Sequence, residues 1–151
     1  MDENELSGLV IGAAIEVHKA LGPGLLESVY QRCLLKELHI RGIWVESEVP
    51  VTVEYKGDVI TEAYRVDLLV NNKLVVELKA VDQLTAVHKA QLLTYLRLMN
   101  KKLGLLINFN ELVVRKGIRR LINNYYMLCG LCVFVAFAFI GKPYVSNDRQ
   151  L

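Results

Sequence analysis

Asp67, Glu77 and Lys79 are the residues whose types and spacing point to chemistry in this chain. They lie in YRVDLLVNNKLVVELKA, residues 64–80, where two apolar-rich runs flank the polar trio Asn71-Asn72-Lys73. A polar trio between such runs predicts a β-hairpin. With a three-residue loop, Val70 faces Leu74. The same register sets Leu69 opposite Val75, Asp67 opposite Glu77 and Arg65 opposite Lys79. Strand side chains alternate between faces, so Val66, Leu68, Val70, Leu74, Val76 and Leu78 are expected on the other, apolar face. Directly opposed residues have Cβ atoms only about 5 Å apart. Two carboxylates that close repel unless a cation or a shared proton lies between them. Lys79 shares their face. The same residues also read as an ordinary half-exposed hairpin, with Asp67–Lys79 and Arg65–Glu77 as diagonal ion pairs. Surface pairs of that kind contribute about 0–1 kcal/mol and imply no chemistry.

The elements around this hairpin follow from periodicity. Leu6, Leu9, Val10, Ala13, Ala14, Val17 and Leu21 form one helical stripe, which Gly22-Pro23-Gly24 ends. A second helix follows, with Leu26, Val29, Tyr30, Cys33, Leu34 and Leu38 expected on its buried face. Glu27 begins it, where a carboxylate is favoured by the helix dipole, with Tyr30 and Gln31 as its neighbours along the helix surface. Over residues 45–55 the period changes to two, with Val45, Val49, Val51, Val53 and Tyr55 on one side and Glu46, Glu48, Thr52 and Glu54 on the other. Pro50 marks that strand as an edge or a bulge. Lys56-Gly57-Asp58 turns the chain toward the Asp67 strand. Residues 84–99 read as a helix with Leu92, Leu93, Leu96 and Met99 on its apolar side and His88, Gln91 and Tyr95 on an adjacent stripe. Residues 103–108 read as a strand buried on both faces, 112–115 as a further short strand, and 118–122 as a brief segment carrying Arg119 and Arg120. The order is α/β, with a mixed β-sheet flanked by helices.

The 151 residues suit one domain with a real core, and the formal charge of +2 gives no broad basic footprint. Three cysteines without framework spacing suit a reducing compartment. Asp2, Glu3 and Glu5 at the start are unlike a basic signal peptide, so a cytoplasmic setting is expected.

Gly24-Leu25-Leu26-Glu27-Ser28-Val29-Tyr30 resembles the pattern that names the GxxExxY family. Asp67 followed by Glu77-Leu78-Lys79 resembles the split D…(D/E)xK signature of the PD-(D/E)XK nuclease superfamily, to which that family is assigned. Gln91-Leu92-Leu93-Thr94-Tyr95-Leu96 is similar to the glutamine-bearing helix that follows in such proteins. The resemblance covers residues 6–123. It implies a restriction-endonuclease-like core over residues 1–123, with 124–151 as an apolar extension. It also implies divalent-metal hydrolysis of phosphodiester bonds, usually in DNA, although RNA nucleases and inactive members exist.

On that resemblance, Asp67, Glu77 and the backbone carbonyl of Leu78 would hold Mg²⁺, with Mn²⁺ as a substitute, since a hard cation takes oxygen ligands and keeps several waters. Glu27 is the candidate third acidic group, ligating directly or through water. Lys79 would orient the attacking water or stabilise developing charge, and Gln91 would position water or a phosphate. Tyr30 and Tyr95 would support these groups. The rival is a non-catalytic module on the same fold that binds nucleic acid or protein, which the modest net charge favours; a homodimer or protein partner is left open.

The remaining signals are weaker. Cys129-Gly130-Leu131-Cys132 is a single CxxC in an apolar run, short of the ligands a structural zinc needs. His18 and His39 read as surface or capping groups. Residues 125–140 carry no charge, and Arg115, Lys116, Arg119, Arg120 and Lys142 flank them. A membrane anchor, an added packing element and an extension without a role all fit that stretch; about 20 apolar residues is the usual spanning length.

Overall fold

A reciprocal cap starts the chain. The Asp2 carboxylate accepts the Glu5 N–H at 2.8 Å, and Glu5 accepts the Asp2 N–H at 2.7 Å. Helix α1 (Glu3–Leu21) follows and ends where Gly22 adopts a φ of +69° and Gly24 one of +98°, left-handed values open mainly to glycine. Helix α2 (Glu27–Ile40) then opens on Glu27. The computed structural model describes residues 1–124.

Five strands form one sheet in the order β1 (Val45–Tyr55), β2 (Asp58–Val70), β3 (Leu74–Lys79), β4 (Leu103–Asn108), β5 (Ile118–Ile122). The first three are antiparallel in succession, β3 and β4 are parallel, and β5 returns antiparallel to β4. The parallel step requires a crossover, and helix α3 (Ala86–Leu98) supplies it. The sheet is therefore mixed, β1 lies at its edge as Pro50 suggested, and the hairpin register holds at Leu68–Val76, Leu69–Val75 and Val70–Leu74.

Two dry clusters sandwich the sheet. Leu6, Val10, Val17, Tyr30, Leu34 and Leu38 from α1 and α2 pack on Leu68, Val70, Val76, Leu78, Leu105 and Ile107. On the other side, Leu92, Tyr95 and Leu96 of α3 pack on Val51, Val66, Leu69, Val75 and Leu106. The absence of a side chain at Gly104 brings α3 close, for a Cβ there would lie 2.9 Å from Leu92.

Several sequence expectations need correction. Leu26 is 74% exposed and Val29 37%, so the buried stripe of α2 is the narrower set Tyr30, Leu34 and Leu38. His18 is buried, not superficial, because the loop after β4 folds over α1 and the Glu111 carbonyl lies 2.8 Å from its Nε2. Residues 112–115 do not form a strand. A 3₁₀ turn at Val114–Gly117 occupies the end of that stretch. Gly117 presses so closely on β4 that a Cβ would come within 2.5 Å of the Asn108 carbonyl, and this tight return feeds β5. Among the described residues no helix is long and apolar enough to cross a membrane. The apolar stretch 125–140 and the Cys129–Cys132 motif lie outside the described residues.

Asn108 governs how the chain leaves β3. It is fully buried opposite Lys79 in the parallel ladder. Its Oδ1 accepts the Val81 N–H at 3.0 Å, and its Nδ2 donates to the Val81 carbonyl at 2.7 Å. The Phe109 N–H adds a bond to the Lys79 carbonyl at 2.8 Å. Asn108→Ala removes both side-chain bonds to Val81, together with the one that Oδ1 accepts from the Asn110 N–H at 3.3 Å, and leaves the Val81 groups unsatisfied, so it should destabilise the domain by about 2–3 kcal/mol. Urea unfolding measures this, and a loss below about 0.5 kcal/mol would mean that water replaces the clamp.

Candidate active site

The register of β2 with β3 ends at Leu68–Val76, one step short of Asp67. Asp67 and Glu77 are consequently not the ladder pair that simple extrapolation of the hairpin requires. Asp67 turns its side chain into the gap, where Oδ2 accepts the Leu78 N–H at 2.6 Å. Arg65 is likewise not opposite Lys79; it pairs with Glu62 at 3.1 Å.

The cause lies on the other side of β2. Pairing with β1 passes from Ser47–Leu68 to Val49–Val66, omitting Glu48 and Asp67, and Glu48 has a φ of +54°. That break interrupts the alternation of faces. Val66, expected beside Leu68, instead joins the α3 cluster, and β1 splits likewise, with Val45 on the α1–α2 side and Val51 beneath α3. Gln31 of α2 braces the break: its Nε2 donates to the Asp67 carbonyl at 3.2 Å and also to Glu48 Oε1.

Glu77 is only 2% exposed. Its Oε1 accepts from Lys79 Nζ at 2.7 Å, while Oε2 is buried without a protein donor. Burial pushes the Glu77 carboxyl up to about 7, the charge of Asp67 adds to this, and Lys79 opposes it. Burial likewise pushes Asp67 up to about 6, aided by Glu27 and Glu48 and opposed by the Leu78 N–H and Lys79. Burial alone would lower Lys79, but its bond to Glu77 and the charges of Glu77, Glu27 and Asp67 raise it overall, so it stays cationic.

Glu27 is half-buried in the first turn of α2, near enough to bias all three groups. Among the described residues no group of three His, Cys, Asp or Glu is placed to hold one ion. In this arrangement Glu27 acts on all three groups through its field, and a bridging water would extend that reach. Tyr30 does not touch the trio. Its hydroxyl donates to the Gly22 carbonyl at 2.6 Å and accepts the Leu25 N–H at 3.2 Å, and its ring stacks on Phe109 at 4.5 Å. It braces the turn that carries Glu27. On α3, Gln91 Nε2 donates to the Tyr95 hydroxyl at 2.6 Å. Burial raises the Tyr95 phenol, and Glu77 and Asp67 add to the shift.

Sequence reasoning missed Glu48 and the role of Gln31. Gln31 was visible as a helix-surface neighbour of Glu27. Nothing in the alternating pattern of β1 distinguished Glu48 from Glu46 or Glu54.

The oxygen donors suit a hard cation, and the unpartnered Glu77 Oε2 is the atom such a cation would satisfy. In an extended strand, the N–H and C=O of one residue point to the same neighbour. The Leu78 N–H points to Asp67, so its carbonyl leaves β3 on that same edge.

The family model of the PD-(D/E)XK nuclease superfamily matches residues 4–121, most of the chain. No curated protein and no solved structure matches it.

Both acids bind protons more tightly when folded than their ordinary values of 3.8 and 4.5 allow when unfolded. Their contribution is therefore fully present at the lowest pH and is lost as pH rises through about 6 and 7. Metal-free stability should fall by something on the order of 5 kcal/mol from this source between about pH 4 and 8. Glu77→Gln removes the larger shift, so in EDTA it should match wild type near pH 4 and exceed it at pH 8. Urea unfolding at the two pH values tests the sign. A Glu77→Gln variant less stable than wild type at pH 8 would contradict the electrostatic account.

Proposed function

The chain belongs to the PD-(D/E)XK nuclease superfamily, and from that premise we propose that it hydrolyses phosphodiester bonds of nucleic acid, DNA in preference to RNA. The observation that carries this reading is the buried Glu77, flanked by Asp67 and Lys79, with one carboxylate oxygen that no protein group satisfies. A structural ion pair would have no reason to leave that oxygen bare in a site where burial already disfavours the charge.

In this reading Asp67, Glu77 and the Leu78 carbonyl hold Mg²⁺, with Mn²⁺ as a substitute. The bound cation would acidify an attacking water and neutralise charge on the scissile phosphate. Lys79, kept protonated by the surrounding carboxylates, donates a hydrogen bond to the phosphate as charge develops on it. Glu27 orients a water at the rim, and Gln91, held by Tyr95, positions the attacking water or a phosphate oxygen. Gln31 and Glu48 keep Asp67 in place from behind.

The GxxExxY branch is part of the same proposal, because the spacing acquires physical meaning here. Gly24 takes the left-handed φ, Glu27 opens α2, and Tyr30 closes the turn by bonding Gly22 and Leu25. The active unit is residues 1–123, with 124–151 as an extension, and its setting is cytoplasmic, in keeping with the free thiol of Cys33.

Calorimetric titration of the full chain with Mg²⁺ and then Mn²⁺ tests the metal site. Asp67→Ala and Glu77→Ala should abolish binding. Lys79→Ala should retain it, yet cleave labelled DNA at least about a hundredfold more slowly. Metal binding that survives both carboxylate substitutions, or is absent from wild type even with oligonucleotide present, would overturn the proposal in favour of a non-catalytic scaffold. The balanced charge of +2 is the observation on the side of that rival.

A further inference from the structure

A cleft of about 420 Å³ separates β2 from α3, lined by Tyr64, Val87, Ala90, Gln91, Thr94 and Tyr95. Its volume falls in the range of roughly 300–1,000 Å³ usual for ligand sites. Tyr64 forms the outer wall, 49% exposed, with its ring 5.7 Å from that of Tyr95 and tilted by 52°. Tyr95 also lies within the field of Glu77, Lys79 and Asp67, so the inner end of the cleft borders the candidate active site. Gln91 spends an N–H on Tyr95, while its amide oxygen has no donor among the described residues. The Thr94 hydroxyl on the cleft wall accepts a hydrogen bond from Arg97 at 3.0 Å.

Resting on the nuclease reading above, we infer that this cleft receives one unpaired nucleobase of the substrate strand. Tyr64 offers a ring face for stacking, Val87 offers an apolar surface, and the Gln91 amide oxygen and Thr94 hydroxyl meet polar base edges. Among the described residues no carboxylate lines the cleft to repel a polyanion. A base stacked within a duplex has both faces covered and cannot enter, so the preferred substrate is a single strand, a frayed end or a flipped nucleotide. Stacking does not depend on the sugar, so deoxy and ribo strands both qualify.

The test measures binding of labelled single-stranded and blunt duplex oligonucleotides by the full chain, with Ca²⁺ replacing Mg²⁺ to prevent cleavage. Tyr64→Ala and Tyr64→Phe are compared with wild type, and Mg²⁺ titrations are run on the same three proteins. Tyr64→Ala should weaken single-strand binding about tenfold, leave duplex binding unchanged and bind Mg²⁺ as wild type does. Tyr64→Phe keeps the ring and should retain wild-type affinity, which separates stacking from a folding defect. Undiminished single-strand binding by Tyr64→Ala overturns the subsite, as does an equal loss on duplex, or no oligonucleotide binding by a wild type that still takes up Mg²⁺. Loss of Mg²⁺ binding from wild type itself would instead overturn the nuclease reading, and the subsite with it.

Discussion

The hydrogen bond from the Leu78 N–H to the Asp67 carboxylate is the constraint on which the site depends. A regular antiparallel pair would satisfy that N–H with a carbonyl of β2. Here a side chain takes the place of backbone, so the ladder ends and the sheet opens between β2 and β3. The opening leaves the Leu78 carbonyl on the edge that faces Asp67, beside the bonded pair Glu77 and Lys79. It persists because both flanks are held. Gln31 ties the β2 backbone to α2, and Asn108 ties the exit of β3 to β4.

Electrostatically the arrangement is unfavourable by design of its surroundings. Asp67 and Glu77 are partly or fully withdrawn from water, and Glu27 and Glu48 add negative potential, with Lys79 the cation bonded directly to Glu77. Such groups are tolerated because β3 and β4 run through the middle of a sheet covered on both faces by dry clusters. The left-handed backbone at Glu48 belongs to the same economy, since a non-glycine residue at φ +54° is strained and is held by the structure around it. Stability forgone at a site is a common companion of activity.

Much of the architecture was legible in one dimension. The Gly22-Pro23-Gly24 break, the two-period strand at Val45–Tyr55, the Asn71-Asn72-Lys73 loop and the continuous apolar run at Leu103–Asn108 all stand where local chemistry placed them. The site was legible only in its parts. Asp67, Glu77 and Lys79 stood out by type and spacing, but their facing geometry assumed an unbroken pleat. Tyr30 read as a neighbour of Glu27, whereas its partners, Gly22, Leu25 and Phe109, come from a turn and a distant loop.

The sequence by itself determined the kind and order of the elements, because helical and strand periods record which side of a local segment meets the core. It also determined that three ionisable groups flank one short hairpin. Tertiary structure decided how those groups meet. A break opposite Glu48 sends Val66 and Leu68 to different faces, although two-residue spacing alone would keep them together. The packing of α2 against β2 brings Gln31 to that break, and the loop after β4 buries His18. These outcomes depend on contacts between segments far apart in the chain, which no local period encodes.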